Sequence, residues 1–490
     1  MGMDGAERLP SAGPNAATVT TDAVDDARLG FFRTQPRRSS RRVFHFTQLL
    51  AIAALFYAAT WAARVAPEIT FTATHIALIA IFSAAIFLRF MAAASLAPLL
   101  SRLASPARFP TYTILCPLYR EANVARELIA ALACIDYPRE ALDIKLLVES
   151  DDPDTIAAAL SAADGAPHIE VVIIPACAPR TKPKALNVGL ARARGEFVAV
   201  YDAEDRPHSQ QLSAALAAFE DGGADLACVQ APLVIDNADA SWISGQFAAE
   251  YAIQFREMLP MLAYFNLPLP LGGTGNHFRT EILRRCGGWD PYNVTEDADL
   301  GYRLARDGYR VGVIGPPTYE EAPVTLGAWL NQRTRWIKGH MQTWLVLMRN
   351  PFRTAHEMGF KAFASMQLVF ATGLLAAFAH GPLAFILLTA LLTPYDLLSP
   401  ADLILAVSGY CVAIFASLTA CALSNSLSHA RAALTMPLYW PLASIAAYRA
   451  FFELIFRPFY WSKTKHGVSA RATQDVSCAI PAKQETARAA

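Results

Sequence analysis

The chain has 490 residues, 54% of them hydrophobic and 17% charged, which is too long for one ordinary domain and too apolar for a typical soluble protein. Its 42 basic and 42 acidic side chains cancel, so no net field points to nucleic acid or to an acidic partner. The eight cysteines include no CxxC pair and read as small buried or lipid-facing residues, which argues against a disulfide framework or a cysteine-based metal site.

Residues 1–42 lack apolar periodicity and end in Arg37, Arg38, Arg41 and Arg42; the pattern predicts a disordered cytosolic arm rather than a cleaved signal. Apolar runs at 48–65 and 69–88 each approach the ~20 residues that a bilayer core requires, predicting two membrane helices within 43–100. Arginines on both flanks, with Arg89, Arg102 and Arg108 after the second run, place both ends and the domain that follows in the cytosol. Over 109–320, short β-branched runs (TYTILCPL, DIKLLVES, IEVVIIPA, FVAVYDAED) alternate with Ala/Leu-rich segments (ELIAALACI, TIAAALSAA, ALNVGLARA). That rhythm predicts a Rossmann-like α/β domain with a parallel sheet. Ligands in such sheets sit beyond the carboxyl ends of the strands. The mixture of Trp, Arg and Lys with apolar residues over 322–350 predicts amphipathic interface helices. Apolar segments at 363–379, 381–392, 403–423 and 433–456 predict about four further membrane helices within 361–458, or about six spans in all. Residues 459–490 then form a cytosolic tail. Arg449 and Glu453, four residues apart, are spaced to pair on one helix face.

Four clusters at the predicted strand ends carry chemistry. Tyr119-Arg120-Glu121 leaves the first strand of the domain. Glu149-Ser150-Asp151-Asp152 gathers acids whose repulsion is costly unless water, cations or hydrogen-bond donors relieve it, so it is either a solvated loop or part of a ligand reader. Thr181-Lys182-Pro183-Lys184 sets two lysines where a helix N-terminus already favours an anion. Asp202-Ala203-Glu204-Asp205 offers hard oxygen ligands that suit Mg2+ or Mn2+.

Two later motifs, Thr295-Glu296-Asp297 and Gln332-Arg333-Thr334-Arg335-Trp336, complete an ordered set over about 111–340 that resembles glycosyltransferase family 2, in its membrane-integrated bacterial form. The resemblance implies a GT-A type α/β catalytic domain inserted between transmembrane segments of the inner membrane. It implies a hexosyltransferase using a nucleotide sugar, with UDP the expected nucleotide, and Asp297 as the catalytic base. Tyr119, Glu121, Glu149, Asp151, Lys184 and Asp202 are the expected donor contacts. Metal falls to Asp202 with Glu204 or Asp205, a choice left open because the usual D-x-D reads Asp-Ala-Glu here. Gln332, Arg335 and Trp336 complete the site, with Trp336 under the acceptor sugar and Arg335, together with Lys338, against the diphosphate. The loop 272–277 is the expected acceptor loop, and 463–467 resembles a lid segment. Flanking helices resemble the layout of cellulose, hyaluronan and chitin synthases. The leading expectation is therefore inverting, metal-dependent extension of a β-linked polysaccharide, coupled to export with or without a partner protein. The alternatives are transfer of one sugar to a lipid acceptor, and a catalytically silent nucleotide-sugar-binding scaffold.

Overall fold

A computed structural model describes residues 15–95, 97, 99, 102–104, 108–394, 398–424, 427–461 and 467. Eleven strands are present among them: β1 (Ala16–Thr18), β2 (Tyr112–Leu118), β3 (Leu142–Glu149), β4 (Ile169–Ile174), β5 (Phe197–Val200), β6 (Arg206–Pro207), β7 (Leu226–Gln230), β8 (Leu233–Ile235), β9 (Asn276–Arg279), β10 (Arg310–Val313) and β11 (Thr318–Glu320). Eight form one sheet in the order β1-β4-β3-β2-β5-β9-β7-β10, and β6, β11 and β8 form a small second sheet. Helices cover both faces of the main sheet, which explains why β2 and β3 read as continuous apolar runs instead of alternating ones.

The sheet is mixed rather than all-parallel, because β9 runs antiparallel to both β5 and β7. This reversal matters for the site. It brings the start of β9 to the edge where β5 ends, with Val200 opposite Asn276 and the Gly275 amide donating to Val200 O at 3.0 Å. The glycine loop before β9 thus meets the acidic turn after β5.

The predicted disordered arm is corrected for its described part. Residues 16–18 extend the main sheet as β1, parallel to β4, and Thr21–Thr34 forms a helix with Val24 and Phe31 buried. That helix packs on the helix Lys182–Arg192, where Asn187 Nδ2 donates to Ala27 O at 3.1 Å. Phe31 lies under the Arg303 guanidinium, 4.4 Å from its ring centre. Two apolar residues seven apart in a polar helix are enough to anchor it, but give no periodic signal in the sequence. Residues 1–14 lie outside the described residues.

Among the described residues four helices are long and apolar enough to cross a membrane: Phe46–Val65, Pro67–Ala94, Phe360–Leu392 and Pro400–Leu423. The expected count of about six becomes four, because the segments 363–379 and 381–392 form one continuous helix through Pro382 and the helix Leu427–Phe456, which holds the expected segment 433–456, is not among the four. Proline withdraws the amide that would serve the carbonyl four residues earlier, here Phe378. That carbonyl accepts instead from Tyr448 Oη at 3.3 Å and Ser444 Oγ at 3.4 Å, both on the neighbouring helix Leu427–Phe456. Such substitution is what lets proline persist in an apolar setting.

Phe31→Ala is expected to lower stability by about 3 kcal/mol and the exposed Asp26→Ala by less than about 0.5 kcal/mol. Thermal unfolding midpoints of the purified protein check this; equal shifts would show that the N-terminal helix is not part of the domain.

Candidate active site

The turn after β2 is tied down from below. Asp152 caps the helix Pro153–Ala163 through the Thr155 amide at 3.3 Å, and its other oxygen accepts from the Arg120 amide. Thr155 Oγ1 accepts from the Glu121 amide at 3.0 Å. Arg120 takes a left-handed conformation, φ 54°, at the corner. Tyr119 and Glu121 consequently line a cavity at the strand ends, and the Tyr119 amide donates to Glu121 Oε2 at 3.2 Å. Asp151, expected as a donor contact, does not line the cavity; it pairs at 2.7 Å with Arg180, which does, and Arg180 reaches the Tyr119 hydroxyl at 3.3 Å.

The two lysines of the next motif divide. They stand two residues apart on one helix, about 200° around its axis, so one side chain at most faces the cavity. Lys184 is fully buried and grips Glu149 at 2.9 Å and Cys177 O at 2.9 Å. Burial raises Glu149 above the usual carboxylate range while Lys184 opposes the rise. Lys182 is the lysine in the cavity wall. Its Nζ donates to Gly273 O at 2.7 Å and pairs with Asp202 at 2.5 Å. Burial opposes its charge, but Asp202, Glu296 and Asp297 together hold its ammonium well above the usual lysine range.

The acids after β5 also divide. Asp202 and Glu204 line the cavity, as does Glu320 from β11. Asp205 does not; it is buried and closes the turn, Oδ2 accepting from the Asp202 amide at 2.6 Å and from Thr274 Oγ1. Its Oδ1 is buried without a hydrogen-bond partner among the described residues. Burial and the neighbouring Glu320, Asp202 and Glu204 push its carboxyl well up.

Thr295, Glu296 and Asp297 open the helix Glu296–Arg306. Asp297 Oδ1 accepts from the Ala298 amide at 2.7 Å, and Oδ2 lies only 3.2 Å from the place a β-carbon on Gly273 would occupy. The facing helix Leu326–Leu347 reaches this turn through Gly339, where a β-carbon would stand 2.5 Å from Thr295 Oγ1 and 2.7 Å from Thr295 N. Gly339 therefore sets how closely Gln332, Arg335 and Trp336 approach Asp297. Gln332, Arg335 and Trp336 all line the cavity. Gln332 Oε1 and Arg335 Nε are buried without a protein partner among the described residues, as suits groups that meet a polar ligand. Trp336 is backed by Phe247 at 5.6 Å, Tyr251 at 6.3 Å and the Arg333 guanidinium at 5.1 Å.

Burial raises Asp297, with Lys182 and Arg335 pulling it back, and burial beside Asp297 lifts Glu296 to about 8. Lys338 does not face the cavity, contrary to its expected place against the diphosphate. It pairs with Glu453 at 2.9 Å and donates to Tyr460 O at 2.8 Å, and Glu453 also takes Arg449 at 3.2 Å. His277 of the glycine loop is core, held by Tyr112 Oη at 2.8 Å. Residues 463–466 of the expected lid lie outside the described residues; Gly467 donates to Glu321 at 2.6 Å.

Residues 110–339 match the family described as glycosyltransferase like family 2. That segment is similar to family 2 glycosyltransferase domains. The chain is 28% identical over 251 residues to a Bacillus subtilis protein named "Probable glycosyltransferase YdaM", covering 50% of this chain and 58% of that one. It is 26% identical over 288 residues to a Synechocystis β-monoglucosyldiacylglycerol synthase, 56% of this chain and 58% of the relative. The chain thus spans less than two thirds of the length of these curated relatives. Among solved structures, a Pyrobaculum calidifontis mannosyltransferase, in complex with GDP-Man and Mn2+, is 21% identical with a TM-score of 0.48, covering 78% of this chain and 97% of that one. The named synthases here are glycolipid synthases, where the layout of helices had suggested polysaccharide synthases.

The cavity takes one residue that the motifs named without preferring it and one that they did not name. Lys182 takes the place expected of Lys184. Trp461, 4.4 Å from the Arg335 guanidinium, closes the cavity from beyond the last helix. The first was recoverable from helical spacing, whereas the second had no local signal.

Gly339→Ala is expected to lower kcat by roughly 100-fold, through displacement of Asp297, with UDP affinity retained; calorimetric UDP titration beside turnover separates the two. If Asp297 is the base it must be ionised to accept a proton, and activity then falls as pH drops through its raised range. Lys182→Met removes a cation that favours the ionised form and should move the acid limb of kcat/KM to higher pH. A limb that stays in place would count against Asp297 as the titrating group.

Proposed function

We propose that the chain transfers a hexose, with inversion, from a UDP-sugar to a hydroxyl of a membrane lipid. The observation that carries this reading is the cavity itself, about 760 Å³, which is continuous from Asp202 and Asp297 past Trp336 to the membrane helices. Gly373, Ala377 and His380 of the helix Phe360–Leu392 and Met436, Trp440 and Ala443 of the helix Leu427–Phe456 form its far wall. A lipid whose acyl chains lie among those helices can present its headgroup to Asp297 without leaving the bilayer. The names of the Synechocystis and Trichormus relatives, both β-monoglucosyldiacylglycerol synthases, support a lipid acceptor over a growing polysaccharide. The positive-inside pattern of the flanking arginines supports a cytosolic catalytic domain in the inner membrane.

In this mechanism Tyr119 and Glu121 take the nucleoside end of the donor. Lys182 and Arg335 take the diphosphate, whose negative charge grows as the glycosidic bond breaks. Asp297 accepts the proton of the lipid hydroxyl, whose oxygen attacks the anomeric carbon opposite the departing diphosphate. Trp336 gives an apolar face to the acceptor.

Among the described residues no three His, Cys, Asp or Glu side chains converge on one point. Asp202 and Glu204 nonetheless fit a hard divalent cation, since Mg2+ is commonly held by one or two carboxylates with substrate phosphates completing its shell. Mg2+ or Mn2+ held there would supply charge neutralisation on the leaving diphosphate. Asp205, facing inward, would support the turn and not the ion.

Gly373 has open space around a β-carbon, so Gly373→Phe fills the membrane end of the cavity at little cost to the fold. It is expected to cut transfer to lipid by about tenfold or more while slow hydrolysis of the UDP-sugar to water, absent in Asp297→Asn, continues. Unchanged lipid transfer in Gly373→Phe would remove this route for the acceptor.

A further inference from the structure

The membrane end of the cavity contains one cation that the chemistry above does not use. Arg89, on the helix Pro67–Ala94, lines the cavity with its guanidinium 5.7 Å from the ring centre of Trp440. Tyr410 stacks on Trp440 at 5.3 Å and His380 lies against it at 4.9 Å. Arg89 is exposed, and among the described residues it makes no hydrogen bond or ion pair, so its guanidinium is open to an anion.

Two carboxylates are close enough to act on it, Glu250 and Glu257. Neither forms an ion pair with it among the described residues. Glu250 is taken by Arg333 and by Tyr439 Oη at 2.8 Å. Glu257 accepts from Thr419 at 2.5 Å, and burial pushes it up to about 7.

Depth points the same way. The helix Pro67–Ala94 has 28 residues, about 42 Å, longer than a hydrocarbon core of about 30 Å. Arg89 stands five residues from its cytosolic end, about 7.5 Å, where lipid phosphates lie. We infer that Arg89 binds the phosphodiester of the acceptor, so that the substrate is an anionic glycerophospholipid whose reacting hydroxyl lies beyond its phosphate. This rests on the lipid-acceptor reading. A polyprenyl phosphate fits less well, because its reacting oxygen belongs to the anion itself and would carry that anion to Asp297. Guanidinium and phosphate pair in a two-pronged geometry that Lys reproduces only in charge.

The test uses the full-length protein in phosphatidylcholine nanodiscs containing either phosphatidylglycerol or diacylglycerol, with a UDP-hexose that the wild type turns over. The wild type should favour phosphatidylglycerol, and Arg89→Gln should lose roughly 10- to 100-fold in kcat/KM on it. UDP affinity should be unchanged in that variant, which also shows that it is folded, and Arg89→Lys should recover part of the loss. A wild-type preference for diacylglycerol, or an Arg89→Gln enzyme with the wild-type ratio between the two lipids, overturns the inference and leaves the lipid-acceptor reading standing. Excess inorganic phosphate that inhibits the wild type but not Arg89→Gln would assign the site to free phosphate and overturn it equally. No label in lipid from wild-type protein with any acceptor removes the underlying reading instead.

Discussion

Two cations among four carboxylates organise the catalytic crevice. Lys182 and Arg335 come from opposite walls, one at the start of a helix in the α/β domain and one on the interface helix. Between them lie Asp202, Glu296 and Asp297, with Glu204 at the edge. The cations oppose the repulsion among these acids, although burial beside Asp297 still lifts Glu296 to about 8. The pairing of Lys182 with Asp202 and its bond to Gly273 O also tie together three separate loops. In the proposed mechanism donor binding and base activation are one electrostatic problem, because a diphosphate that engaged Lys182 and Arg335 would change the field at Asp297.

Much of this was legible in the sequence because it is local. Strand-end motifs lie at strand ends, and the alternation of β-branched and Ala/Leu-rich runs reports an α/β sheet whatever its detailed order. The motifs did not say which member of each pair faces inward. Lys184 and Asp205 carry the same chemistry as Lys182 and Asp202, but helix phase turns Lys184 away and the bond to Thr274 turns Asp205 away. The reversal of β9 was not visible either, since a four-residue strand reads alike in both directions. Pro382 suggested a break between two spans because the side chains that compensate for it lie more than sixty residues further on.

The long apolar helices line the same cavity as the α/β domain. Trp440 gathers Arg89, Tyr410 and His380 from three different helices into one wall of the cavity. The interface helix joins this wall to the chemistry, with Gly339 against Thr295 on one side and Arg333 bound to Glu250 and Tyr439 on the other. Lys338, pairing with Glu453 of the last long helix, fixes the same helix from behind. This end of the cavity is thus held by contacts that cross between sequence segments lying before and after the α/β domain.

The strand β1 has a consequence for how the domain can be handled. It pairs with β4 at the outer side of the main sheet, through residues 16–18, nearly a hundred residues before the segment that carries the family motifs. A fragment cut to residues 110–339 would lack it and would present the bare edge of β4, an apolar strand with unpaired amides and carbonyls. Such an edge invites strand addition from another molecule. The same cut removes the helix Thr21–Thr34 from the surface beside Lys182–Arg192. Self-association of that fragment would report on a missing edge and not on a failure of the catalytic fold.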